Sequence, residues 1–167
     1  MAAPIGTRPF TTEASKDAEE KHTSIINDIL QEEFPAIEIR KAVSIDSLVE
    51  GKIEYSHKKD RSSQEWLADG GWLYYNDKLV GVLECKYQKT RQNACERLFR
   101  YLAVNLFRRQ PYRVFVSCYG PGFESKMGGG STGPVLDMAR NAGIKALENP
   151  SEAKFIEELR SWIKLIL

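Results

Sequence analysis

Glu84 and Lys86 stand two residues apart at the end of a hydrophobic run, Lys78-Leu-Val-Gly-Val-Leu-Glu-Cys-Lys-Tyr87. Glu-x-Lys triplets are common, about one by chance in a chain of this size. Glu19-Glu20-Lys21 and Glu152-Ala153-Lys154 fall in helical patterns, where positions i and i+2 diverge. Glu50-Gly51-Lys52 lies in an ambiguous polar stretch and Glu124-Ser125-Lys126 beside a glycine-rich loop. Only Glu84 and Lys86 lie in a clear strand, where i and i+2 share a face. A second carboxylate, Asp69, precedes Gly70-Gly71 at the start of the preceding aromatic strand. If the two strands pair as a hairpin, Asp69 returns beside Glu84, and the two carboxylates repel unless a cation lies between them. Hard oxygen donors of this kind suit Mg²⁺, which lowers the pKa of a bound water and neutralises phosphodiester charge. The Cys85 side chain points to the opposite face, which leaves its backbone carbonyl as a further oxygen donor rather than a thiol nucleophile. The plainer alternative is a turn at Asp69-Gly70 and an ordinary cross-strand ion pair between Glu84 and Lys86.

The elements that must hold these residues can be read from periodicity. Residues 1–13 carry Pro4, Gly6 and Pro9 and read as a loose arm. Ser15 to Phe34 places Ile25, Ile26, Ile29, Leu30 and Phe34 on one helical stripe, ended by Pro35. Ile37 to Val43 reads as a strand, and Asp46 to Ser63 as a polar hairpin or loop. Gly71 to Asn76 and Lys78 to Tyr87 are strands joined by a turn at Asn76-Asp77. Val80, Val82, Glu84 and Lys86 form one face of the second strand, and Leu79, Gly81, Leu83 and Cys85 the other. Thr90 to Arg109 is a long helix with Cys95, Phe99, Leu102 and Leu106 as its apolar stripe. Tyr112 to Tyr119 is a buried strand. The glycine-rich loop 128–133 lacks the Gly-Lys-Ser/Thr ending of a nucleotide-binding loop. Helices over Val135 to Asn141 and Ser151 to Leu167 close the chain. This order predicts an α/β fold, a mixed β-sheet flanked by helices, in one domain over 1–167.

Composition sets further bounds. With 42% hydrophobic and 28% charged residues the chain can bury a core, and no apolar run reaches membrane-spanning length. The first ten residues lack the layout of a signal peptide, and the three cysteines form neither a Cys-x-x-Cys pair nor a disulfide framework. A reducing cytoplasm is the expected setting. Lys86 to Arg113 holds eight basic residues and one acid, Glu96, a net +7 in a chain whose total is +1. That segment is a candidate polyanion-binding face, or simply a solvated helix surface. His57, beside Lys58 and Lys59, could serve a metal or a phosphate or be simply solvated, and His22 on the first helix has no visible partner. Glu32 or Glu33 could add an outer carboxylate. Trp66 and Trp72, which flank Asp69, read as core.

Asp69, a spacer and Glu84-Cys85-Lys86 ending a hydrophobic strand resemble the signature of the PD-(D/E)XK nucleases. Gln92-Asn93-Ala94-Cys95-Glu96-Arg97, on the following helix, resembles the Gly-Asn-Ala-x-Glu-Arg segment of type II restriction endonucleases typified by EcoRI and MunI. Ala68 stands where that family has proline, and Gln92 where it has glycine. The resemblance covers about residues 68–101. It implies a restriction-endonuclease-like core with Asp69, Glu84 and Lys86 catalytic and Mg²⁺ held by Asp69, Glu84 and the Cys85 carbonyl. It implies cleavage of double-stranded DNA at a short palindrome, with an AATT core, by a homodimer accompanied by a DNA methyltransferase. Asn93 and Arg97 would contact bases with Glu96 buttressing them, which suits Asn for adenine and Arg for a purine edge. Lys89, Arg91 and Arg100 would contact phosphates. A junction-resolvase-like or repair nuclease of the same fold, or a DNA-binding protein without catalysis, are the alternatives.

Overall fold

A computed structural model of the chain describes residues 15–44, 65–107, 111–123 and 132–167. Helix α1 (Ser15–Glu33) leads into strands β1 (Ile37–Ser44), β2 (Glu65–Tyr75) and β3 (Lys78–Tyr87). Helix α2 (Arg91–Phe107), strand β4 (Arg113–Tyr119), a short 3₁₀ turn (Pro121–Phe123), α3 (Thr132–Asn141), β5 (Lys145–Glu148) and α4 (Glu152–Ile166) follow. The loose arm, the polar segment Asp46 to Ser63 with His57, and positions 128–131 of the glycine-rich loop lie outside the described residues. So do Arg108 and Arg109.

The strands form one mixed sheet in the order β1-β2-β3-β4-β5. The first three are antiparallel neighbours, whereas β4 runs parallel to β3 and β5 parallel to β4. The parallel step from β3 to β4 needs a crossover, and α2 supplies it. Helices cover both faces, giving three layers. On one face Trp72, Val82, Val114 and Val116 meet Leu98, Tyr101 and Leu102 of α2 and Leu136 of α3. On the other, Leu73, Leu83 and Phe115 meet Ile26 and Leu30 of α1 and Phe155, Leu159 and Trp162 of α4. The expected α/β architecture with a mixed sheet is therefore present.

Four details differ from the periodicity. Strand β2 begins at Glu65, so Asp69 lies inside the strand rather than at its start. In β3 the pairing shifts at Val80, which packs with the α1–α4 cluster while Leu79 and Val82 face α2. A β-bulge of this kind breaks strict alternation. Strand β5, only four residues long, has no counterpart in the sequence reading. On α2 the expected stripe is rotated: Cys95 and Leu102 are buried, but Phe99 and Leu106 are 50% and 71% exposed. Ala94, Leu98, Tyr101 and Asn105 turn inward instead, and the Asn105 amide donates to the Ala142 carbonyl at 2.7 Å.

A second irregularity bears directly on the charged residues. Arg40 pairs with Trp72, but Ala42 pairs with Leu67, so Ala68, Asp69, Gly70 and Gly71 stand opposite Lys41 alone. Such a bulge bends the strand and re-aims side chains. Gly71 makes it possible: its φ is +99°, and a Cβ there would lie 2.4 Å from Ile39 Cγ2. We expect Gly71→Ala to destabilise the protein by about 2 kcal/mol or more, from backbone strain and overlap together. Urea unfolding reads this directly. A loss under 0.5 kcal/mol would mean that the bulge relaxes easily.

Candidate active site

The β2–β3 ladder runs from Tyr75–Lys78 to Gly71–Leu83 and ends there. Beyond it β3 continues, paired to β4 through Glu84–Val116, Cys85–Ser117 and Lys86–Cys118. The β2 bulge diverges at the same point, and the site occupies the resulting opening. The Asp69 N–H donates to Glu84 Oε2 at 3.3 Å. Thr23 of α1 donates its hydroxyl to the Asp69 carbonyl at 3.0 Å, which ties the bulge to the helix above it.

Asp69, Glu84 and Lys86, separated by up to 17 positions, meet here. Lys86 Nζ donates to Asp69 Oδ2 and lies 3.5 Å from Glu84 Oε2. The ammonium bridges both carboxylates, so neither a lone turn nor a simple pair describes the cluster. Glu84 is 2% exposed. Burial pushes its carboxyl up to about 7, the Lys86 charge pulls it back, and the Asp69 charge adds to the rise. Burial, and next the Glu84 charge, hold the Tyr101 phenol on α2 well above its ordinary value. The Cys85 side chain points away, as alternation requires, into a cluster with Tyr119 and Ile25. Cys85, Cys95 and Cys118 are all buried, and none is in a disulfide.

Among the described residues, no group of three or more His, Cys, Asp and Glu side chains gathers to hold an ion. Two carboxylates that share one neutralising ammonium still fit Mg²⁺, which commonly takes one or two carboxylates and keeps its waters. Compared with protein-family models, curated proteins and solved structures, the chain matches none. One cleft adjoins the charged cluster and another lies on α2. The first, of about 660 Å³, lies between α1 and the bulge and is lined by Glu20, Thr23, Ser24, Asn27, Lys41, Leu67, Ala68 and Asp69. Glu20 is thus an α1 carboxylate that lines the same cleft as Asp69. Glu33 is instead engaged by Arg160 of α4, with Nε at 2.8 Å, and so does not serve the cluster. The helical spacing of Glu20, Thr23, Ser24 and Asn27 was the available signal for that polar face.

The second cleft, of about 320 Å³, is lined by Gln88, Asn93, Glu96, Arg97 and Arg100. Asn93 and Arg97, four positions apart, share one exposed face of α2. Glu96 accepts from Gln92 at 3.2 Å, and the Arg100 guanidinium lies 4.1 Å over the Trp66 ring. An ordinary Glu96–Arg100 surface pair is thus replaced by two separate contacts. Lys89 is exposed on the connector before α2 but does not line the cleft. Arg91 opens α2, and its side chain lies outside the described residues. Trp66 is half-buried against Arg100, whereas Trp72 is core.

His22, without a visible partner in the sequence, is fully buried on α1. Its Nε2 lies 3.3 Å from Ser117 Oγ and its ring 4.6 Å from that of Phe155. Burial lowers it to about 3, so it stays neutral, and Asp69 and Lys86 act on it in opposite directions. Among the described residues, no helix is long and apolar enough to cross a membrane.

Proposed function

We propose that the chain is a Mg²⁺-dependent endonuclease of double-stranded DNA built on a PD-(D/E)XK-type core. The carrying observation is that Asp69, Glu84 and Lys86 converge where β2 parts from β3, with Lys86 two residues before Gln88, which lines a cleft with Asn93, Arg97 and Arg100. When bound, Mg²⁺ supplies an acidified water and neutralises the scissile phosphate. Asp69 and Glu84 would hold the ion through carboxylate oxygens, with the Cys85 carbonyl as a further donor. Lys86, freed from the carboxylates it bridges, orients the attacking water and faces the charge that builds on the phosphate oxygens. The water oxygen adds to phosphorus as the P–O bond to one sugar oxygen breaks; the water gives up a proton to solvent, and the leaving sugar oxygen takes one up to become a hydroxyl. The clustered Arg and Asn groups of α2 supply phosphate and base contacts. The likeness of residues 92–97 to the restriction-enzyme segment narrows the reading to a type II restriction endonuclease. Such an enzyme would act as a homodimer on a short palindrome, which an AATT core would suit, in a cell that holds a matching methyltransferase.

The test is incubation of the purified protein with phage-sized linear DNA, with Mg²⁺ or with EDTA, followed by sequencing of fragment ends. Discrete fragments that share one palindrome, and that EDTA abolishes, are the expected result. A smear, or cutting of branched DNA alone, would point to a non-specific or junction-directed nuclease. Tight DNA binding without cleavage under any divalent metal would overturn the catalytic reading.

A further inference from the structure

Asn149 follows β5 and has a positive φ, +40°. Three hydrogen bonds fix it against the end of β4. Its N–H donates to the Cys118 carbonyl at 2.7 Å. Its side-chain amide brackets one residue from both sides: Oδ1 accepts from the Gly120 N–H at 2.7 Å, and Nδ2 donates to the Gly120 carbonyl at 3.2 Å. Cys118 is the residue paired across the sheet with Lys86.

From Gly120 the contacts continue to the recognition face. The Gln88 N–H donates to the Tyr119 carbonyl at 3.0 Å, and the Gly122 N–H donates to the Gln88 carbonyl at 2.9 Å. The approach is close: a Cβ on Gly122 would lie 2.4 Å from the Thr90 carbonyl oxygen. Thr90 in turn anchors the start of α2. Its carbonyl accepts from the Ala94 N–H at 3.1 Å, and its hydroxyl accepts from the Asn93 N–H at 3.4 Å. The connector Gln88–Thr90 is thus seated on the turn 120–122. It joins Lys86 to the helix that carries Asn93 and Arg97, and Gln88 itself lines their cleft.

We propose that Asn149 is a positioning residue: by holding the 120–122 turn it fixes the Gln88–Thr90 connector, and so the placement of the α2 cleft relative to Lys86. The role rests on the nuclease reading, in which chemistry at residues 69–86 must act on the strand that α2 grips. Asn149 touches neither. Its side chain acts through Gly120, and its sequence position, far from the motif, gives no hint of it.

Asn149→Gly tests this in the full chain, because glycine accepts the positive φ while removing both side-chain bonds. Asn149→Asp keeps the acceptor for the Gly120 N–H and tolerates the same backbone. In the glycine variant the Gln88 and Gly122 amides should lose hydrogen-exchange protection while the β3–β4 ladder amides keep theirs. Its single-turnover cleavage rate should fall about 10- to 100-fold, as small misplacements do. Discrimination between the cognate site and one with a single mismatch should fall as well. The aspartate variant should restore most of the rate. Unchanged protection at Gln88 and Gly122, or a rate and discrimination within twofold of the parent, would overturn the proposal. A uniform loss of protection across β4 and β5 would also overturn it, by showing a merely structural role. If the parent protein cuts no DNA, the nuclease reading fails. The exchange measurement then still decides whether Asn149 holds the connector.

Discussion

Lys86→Ala is expected to lower the Mg²⁺-dependent cleavage rate by about 10³-fold or more while divalent-ion binding survives or tightens. The reason is that Lys86 Nζ touches both carboxylates, so in the ion-free protein the ammonium stands where positive charge is needed. Removing it leaves Asp69 and Glu84 facing one another with nothing between them, and that repulsion is what a divalent ion relieves. Asp69→Ala and Glu84→Ala remove oxygen donors instead, and should lose ion binding and cleavage together. Isothermal calorimetry with Mg²⁺ or Ca²⁺, beside single-turnover cleavage, separates the two patterns. If the cluster were only a structural ion pair, Lys86→Ala would strongly destabilise the fold by stranding buried charge, and no variant would show ion binding. Cleavage by Lys86→Ala at the parent rate would end its catalytic assignment.

Glu84→Gln should make the ion-free protein more stable above pH 7 and leave it unchanged near pH 4. The Glu84 carboxyl sits at about 7 in the folded protein against 4.5 for the ordinary group. The folded state therefore holds its proton more tightly than the unfolded state. Stability is full below pH 4.5 and declines as pH rises towards 7, where ionising the buried carboxyl costs up to about 3 kcal/mol. The amide cannot ionise, so the variant escapes that decline, and Lys86 retains Asp69 as its partner. Thermal melts in EDTA at pH 8 should show a rise of several degrees, at ~2–4 °C per kcal/mol for a chain of this size. Added Mg²⁺ should stabilise the parent and not the variant. A variant that melts below the parent at pH 8 would show that Glu84 is stabilising as an anion.

The charged cluster was legible because it depends on a rule with few exceptions. In a strand, i and i+2 share a face, and β3 is regular from Val82 to Lys86. Asp69 was legible as a residue but not as a position. Its approach depends on a bulge set by Gly71 and by the pairing of β2 with β1, and such long-range register leaves little trace in hydropathy. The α2 stripe was misjudged because Phe99 and Leu106 are large and apolar yet point outward. Asn105 is polar yet buried, its amide satisfied by Ala142, which only tertiary structure supplies. Strand β5, Lys-Ala-Leu-Glu, is too short and too poor in β-branched residues to announce itself. Glu20 carries no mark in the sequence that sets it apart from Glu32 or Glu33, because a helix face cannot be oriented until the sheet beneath it is known. The Arg and Asn positions of α2 needed only the 3.6-residue period, and they share a cleft as that period requires.

The seat of Arg100 on Trp66 gives the molecule an optical handle. The chain has three tryptophans, and Trp72 and Trp162 are 1% and 4% exposed in the two cores. Trp66 alone sits half-open, two residues from Ala68 and three from Asp69, under a guanidinium that also lines the α2 cleft. A ligand that draws Arg100 off the ring changes the surroundings of that indole directly, and reaches Trp72 only through its edge-on packing against Trp66 at 6.3 Å. Emission from the native protein is therefore expected to report occupancy of the cleft without any label, on the timescale of a stopped-flow trace.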